Sequence, residues 1–155
     1  MSIVSLSELK LALQSKARLL GLDLGEKTIG LALSDTLLMV ATPFETLKRG
    51  KFSADAPIIE SLIAKHAIGG LIVGLPLNMD GSDGPSAQSA RAFARNFAAR
   101  SALPIVMVDE RLSTAAVTRT LIDADASRKR RAEVVDKMAA AYILQGALDR
   151  LHNIP

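Results

Sequence analysis

Cysteine is absent from this 155-residue chain, and histidine nearly so, with only His66 and His152. The first absence removes disulfides, thiolate zinc sites and cysteine nucleophiles together, and it suits a reducing compartment. The second argues against an imidazole-rich metal centre. Any metal here should be held by oxygen, which points to Mg²⁺ or Mn²⁺. Tryptophan is also missing, and aromatic residues make up only 3%. Phe93 and Phe97 have the spacing of a helix core face, and neither they nor Tyr142 makes a platform on which bases would stack. Long apolar runs are missing as well. The apolar stretches are strand-length, and the first residues lack the basic-then-apolar layout of a signal peptide, so the expected location is the cytoplasm, with no membrane partner.

What is present fits one domain with a core of its own. A net charge of +3 and a pI near 9.4 allow a polyanionic partner without requiring one. Ser5 and Glu8 have capping-box spacing, and with Leu6, Leu9 and Leu13 they predict a short helix over 5–17. Three extended runs follow, at 18–25, 28–34 and roughly 37–47. Their connections are too short for crossovers, so they should form an antiparallel meander. A helix over 55–66, a buried strand at 71–75, a Gly/Asp/Asn/Ser loop at 78–85 and an Ala-rich helix at 86–100 come next. A fifth strand at 105–109, a helix capped by Ser113 or Thr114 and running to about Ala124, a basic loop from Ser127 to Arg131, and a helix over 132–151 complete the chain. The expected architecture is α/β: a five-stranded mixed sheet flanked by helices, in the element order of the ribonuclease H-like fold.

Three acidic residues stand in awkward places. Asp23 interrupts the apolar strand Leu19–Leu24, where an unpaired charge costs several kcal/mol or more. Gly21 and Gly25 flank it on the same strand face, leaving bare backbone that would let a phosphate approach. At the end of the fifth strand Asp109 and Glu110 point to opposite faces, so one of them can join Asp23, and spacing does not say which. Asp136 heads a helix face of small residues, Ala139, Ala140, Ile143 and Ala147, able to lie close to a sheet. Each has a plainer reading: a backbone-bonded Asp, a capped turn with Arg111, and an Asp near a helix N-terminus. Jointly they suggest a site for two divalent cations. Such a pair, roughly 3.5–4 Å apart, stabilises the attacking and leaving oxygens of a phosphodiester displacement.

The segments Leu22-Asp23-Leu24-Gly25-Glu26-Lys27-Thr28-Ile29-Gly30, Val73-Gly74-Leu75-Pro76, Val108-Asp109-Glu110-Arg111-Leu112-Ser113-Thr114 and Val135-Asp136-Lys137-Met138-Ala139-Ala140 resemble, in order and in register, the YqgF (RuvX) family. The likeness spans about residues 18–151, leaving 1–17 as an N-terminal helical extension to a single nuclease domain. It implies an RNase H-like fold and a metal-dependent nuclease. Family members are described as processing the 5′ end of pre-16S ribosomal RNA, or alternatively as Holliday junction resolvases. It also implies that Asp23, Glu110 and Asp136 are the catalytic acids and the ligands of two Mg²⁺ or Mn²⁺ ions, with Glu110 chosen over Asp109. Related junction resolvases carry a further acid near the last one, where this chain has Ala139 and Ala140.

Expected nucleic-acid contacts are Lys27, Arg111 and the run Arg128, Lys129, Arg130 and Arg131, whose cations would grip phosphates and release counterions. All of these are also readable as surface charges. The expected partner is structured RNA, with four-way DNA as the alternative, and the protein is a monomer or a homodimer. Two other classes compete. An Asp-Leu-Gly strand and phosphate turn also opens the domains of sugar kinases and Hsp70-like ATPases, but those need two such domains around the nucleotide, which 155 residues do not supply, and no Walker A sequence is present. A non-catalytic ribosome-assembly factor would keep the fold without needing three acids.

Overall fold

A computed structural model describes residues 3–112 and 128–155, the side chains of residues 112 and 128–135 excepted. After helix α1 (Leu6–Ala12) the chain lays down β1 (Arg18–Leu24), β2 (Thr28–Ser34) and β3 (Ala41–Lys48). Then come α2 (Phe52–Lys65), β4 (Ile68–Leu75), α3 (Pro85–Arg100), β5 (Ile105–Asp109), a single 3-10 turn (Glu110–Leu112) and α4 (Arg128–His152). The sheet order is β3-β2-β1-β4-β5. β1, β2 and β3 form the expected antiparallel meander, while β4 joins β1 and β5 joins β4 in parallel. Chain length between strands decides this: three residues link β1 to β2, whereas helices α2 and α3 carry the crossovers that parallel pairing needs. The helix expected from Ser113 or Thr114 to Ala124 lies outside the described residues.

Alternation along the strands separates two cores. Leu20, Leu22, Leu71 and Val73 pack on one face with Ile59 of α2 and Ala90, Phe93 and Phe97 of α3. Phe93 and Phe97 are core residues, as their spacing suggests. On the other face Leu19, Ile72, Val106 and Val108 pack with Leu9 of α1 and Ala139, Ala140, Ile143, Leu144 and Ala147 of α4.

Helix α4 seats unusually close to this second face. A Cβ at Gly21 would lie 2.9 Å from Leu144 Cβ and 3.0 Å from the Ala140 carbonyl oxygen. A Cβ at Gly30 would lie 2.1 Å from the carbonyl oxygen of Asp136. The expectation that Gly21 opens space for a phosphate is therefore corrected: that space belongs to α4, and the missing side chain admits the helix.

Several boundaries differ from expectation. β4 starts at Ile68 rather than Leu71 because Gly69 and Gly70, poor strand formers alone, sit beneath the N-terminal segment. A Cβ at Gly70 would be 2.7 Å from Leu9 Cδ1. α4 starts at Arg128 rather than at 132, so the predicted basic loop is helix. Arg and Lys are good helix formers, and that preference outweighs the unfavourable placing of cations at the positive end of the helix dipole. At the other end, α1 carries the expected Ser5–Glu8 capping box but stops at Ala12. Beyond it, Lys16 adopts a left-handed φ of 68°. Ahead of α1, Ile3 bridges to Ile105 and the Val4 amide donates to the Ile105 carbonyl at 2.8 Å, covering part of the β5 edge.

Candidate active site

Asp23 is buried, with 4% of its surface exposed, on the α4 face near the carboxyl end of β1. Its antiparallel partner on β2 is Gly30, the residue against which the Asp136 backbone rests. On its other side, one step beyond the parallel pair Leu22 and Val73, the register sets Gly74 beside Asp23. The Glu110 side chain lies over Gly74, with its Cγ and Cδ 3.3 Å from where a Cβ would stand. A row therefore runs across the sheet end: Asp136 over Gly30, Asp23 in the middle, Glu110 over Gly74. Glycine on both neighbouring strands is what lets three carboxylates approach one edge.

The flanking acids are held in different ways. Asp136 sits two turns into α4, not in its first turn, and its Oδ2 accepts a hydrogen bond from Thr28 Oγ1. It also lies 3.5 Å from the Cβ position of Gly25. Glu110 is buried, at 6% exposed, in the 3-10 turn that ends β5. Among the described residues, no three acidic or imidazole side chains are gathered tightly enough to cage an ion in their present rotamers. The backbone brings the three acids to one edge of one face; it does not close them into a cluster. The donor chemistry is uniform, three carboxylates and no nitrogen or sulfur ligand, which matches a small hard cation.

Asp109 is separated from this row, as strand alternation requires. Its carboxylate pairs with Arg111, Nη2 to Oδ2 at 2.8 Å, and the Arg111 Nη1 donates to the Met79 carbonyl at 3.1 Å. Arg111, expected to meet substrate phosphate, ties the loop after β4 to the end of β5. The hydrogen bonds from the Arg111 side chain hold the Asp109 carboxyl below its ordinary value of 3.8. A carboxyl depressed on folding adds stability that is complete above its ordinary value and is lost as pH falls through the lowered one. Arg111→Gln should therefore melt below wild type at neutral pH, with the gap narrowing from about pH 5 towards about pH 3. Thermal melts across that range check it, and a constant gap would assign the loss to the Met79 contact alone.

The other cations differ in exposure. Lys27 is exposed in the turn between β1 and β2. Arg128, Lys129, Arg130 and Arg131 occupy the first turn of α4, on the same helix as Asp136 and N-terminal to it. Arg91, on the outer side of α3, is paired with Asp83 at 2.6 Å.

Three site-building residues escaped the sequence reading: Thr28, Gly30 and Gly74. Gly30 and its alternation with larger residues were noticed, but not its purpose. Four residues, 25–28, lie between the paired Leu24 and Ile29, which puts Gly30 opposite Asp23; a four-residue turn at this point is the signal that could have found it. Thr28 had no such signal, because only the folded helix brings Asp136 to it.

A curated relative from Paramagnetospirillum magneticum is 60% identical over 149 residues, 96% of each chain, and bears the name "Putative pre-16S rRNA nuclease". One from Methylocella silvestris with the same name is 59% identical over 152 residues, covering 98% of this chain and 94% of its own. Among solved structures, T. thermophilus RuvC in complex with a Holliday junction substrate superposes with a TM-score of 0.54. It shares 13% identity and covers 88% of this chain and 96% of that one, a likeness of fold: the RuvC-like ribonuclease H architecture expected from the order of elements. The family model described as RuvX, Holliday junction resolvase, matches residues 17–150. With most of its length matched, the chain belongs to the RuvX family.

Proposed function

We propose that this protein is a divalent-metal-dependent nuclease that hydrolyses phosphodiester bonds of structured RNA, trimming the 5′ end of pre-16S ribosomal RNA. The observation that carries it is the row of Asp136, Asp23 and Glu110 across one sheet end on glycine seats. Relatives about 60% identical over nearly the whole chain, named for that RNA, support the choice of substrate.

The three carboxylates are the groups that would hold Mg²⁺ or Mn²⁺, with Asp23 between the other two. Such ions supply Lewis acidity to the scissile phosphate and favour ionisation of the attacking water. The protein's own contribution is placement. Asp23 is fixed by a central strand, Asp136 by a helix locked to β2, and Glu110 by a turn at the end of β5. Thr28 holds the Asp136 carboxylate in place through its hydroxyl. Burial of Asp23 and Glu110 limits competing water and would strengthen their attraction for a bound cation. Among the described residues no base-reading element is evident, so backbone shape should select the substrate.

A second reading, resolution of four-way DNA, takes its support from the description of the family that the chain matches. The test is a panel of a pre-16S 5′ precursor and a four-way DNA junction, each with Mg²⁺, Mn²⁺ or EDTA. Metal-dependent cut RNA with intact junction is the expected result. Cleavage of the junction alone would install the second reading, and no cleavage of either would leave a binding protein.

A further inference from the structure

A cavity of about 500 Å³ opens where the carboxyl end of β1 meets the start of α3, lined by Leu24, Gly25, Glu26, Arg49, Pro85, Ser86 and Ser89. It abuts the acid row through a single residue: Gly25 lines it and also stands beside the Asp136 carboxylate. Arg49 is its fixed element. The Arg49 amide donates to the Lys27 carbonyl at 2.9 Å, and its guanidinium donates to the Gly25 carbonyl at 2.8 Å and to Ser89 Oγ at 2.9 Å. Two neutral oxygens thus orient a full positive charge. Among the described residues, Arg49 makes no ion pair with a carboxylate. Arg100, by comparison, is neutralised by Glu60 at 2.7 Å.

We propose that this cavity binds a backbone phosphate flanking the scissile one on the same nucleic-acid strand, an assignment that rests on the nuclease reading. The guanidinium has five N–H donors and spends two on Gly25 and Ser89, leaving others for phosphate oxygens. Ser86 and Ser89 add hydroxyls, and the first turn of α3, whose N-cap residue Gly84 offers no side-chain oxygen, adds its amide dipole. None of these groups reads a base, so the contact fixes register without choosing sequence. Glu26 opposes the ligand. It is exposed at the mouth and weakens the attraction without cancelling the site. The cavity lies on the α3 side of the sheet and the acids on the α4 side, so a strand engaging both must cross the end of β1 at Gly25.

Binding of a labelled single-stranded RNA is measured by anisotropy in EDTA, across a salt series, with the full chain. No metal and no cleavage are involved, so the outcome is independent of whether the nuclease panel succeeds. Arg49→Gln should weaken binding about tenfold and reduce the slope of log affinity against log salt by about 0.7, one phosphate's share. Arg49 also braces the turn after β1, so a second variant guards against misfolding. Ser86→Asp places an acid in the first turn of α3, where it favours the helix, yet it should weaken binding comparably. Glu26→Gln should tighten it. Uridine 5′-monophosphate serves as a competitor and should displace the RNA only weakly. Unchanged affinity in Ser86→Asp, an unchanged slope in Arg49→Gln, or competition by the mononucleotide as strong as by RNA would each overturn the assignment.

Discussion

Asp23→Asn should lower Mg²⁺-dependent cleavage of the precursor RNA by a hundredfold or more, on the order of what a lost electrostatic stabiliser costs. The substitution keeps shape and volume and removes one charge. Asp23 is 4% exposed between two further acids of like charge, a repulsion that a bound cation would offset. Wild type should accordingly gain several degrees of melting temperature on adding Mn²⁺, by mass action on the folded state. The variant should start at or above the wild-type value in EDTA and gain little. This pairing separates a ligand from a structural Asp. A variant that melts well below wild type in EDTA while still responding to Mn²⁺ would show that the carboxylate serves the fold, and full cleavage by it would end the nuclease mechanism proposed here.

Gly30→Ala is expected to have the largest effect on the fold. Its methyl group would stand 2.1 Å from the Asp136 oxygen, 2.2 Å from the carbonyl carbon and 2.8 Å from the Lys137 nitrogen. All three are backbone atoms, so no rotamer change relieves the overlap and α4 must lift from β2. Overpacking of this kind costs typically 1–3 kcal/mol and sometimes more. In a chain of this size that is a fall of roughly 3–10 °C in melting temperature. Because Asp136 rides on the displaced backbone, cleavage should fall further than the unfolded fraction explains. The matching control is Gly146→Ala on the same helix, where an added Cβ meets only Arg150 Nη2, at 3.8 Å. That change should stabilise by about 0.5–1 kcal/mol through helix propensity and leave cleavage intact. Equal melting temperatures for Gly30→Ala and wild type would refute the close seating of α4.

Much of this was legible beforehand because the relevant physics is local. A charge inside an apolar strand singles out Asp23 whatever surrounds it. Short connections force the meander, and i to i+4 spacing puts Phe93 and Phe97 in the core. The failures fall on glycines whose meaning depends on a distant partner and on a run of cations whose local preferences conflict. Gly21 reads as open space until Leu144 fills it. Gly69 and Gly70 read as a break before β4 until Leu9 covers them. Arg128 to Arg131 read as a loop because their charges oppose the helix dipole, a small term beside their intrinsic preference for helix. Glu110 and Asp109 are distinguishable by alternation only once the face carrying Asp23 is known, and the family resemblance supplied that choice before the geometry did.

The short bridge from Ile3 and Val4 to Ile105 has a bearing on how the molecule behaves in company. A bare outer strand offers a row of unsatisfied amides and carbonyls to any other chain, and β5, rich in isoleucine and valine, would be an inviting template. The leading residues shield part of that row, and Leu9, on the helix that follows them, is buried in the core beside it. The opposite margin is guarded otherwise, by Pro43, Glu45 and Lys48 within β3. Each border of the sheet thus has its own protection against self-association, one by covering and one by charge and proline.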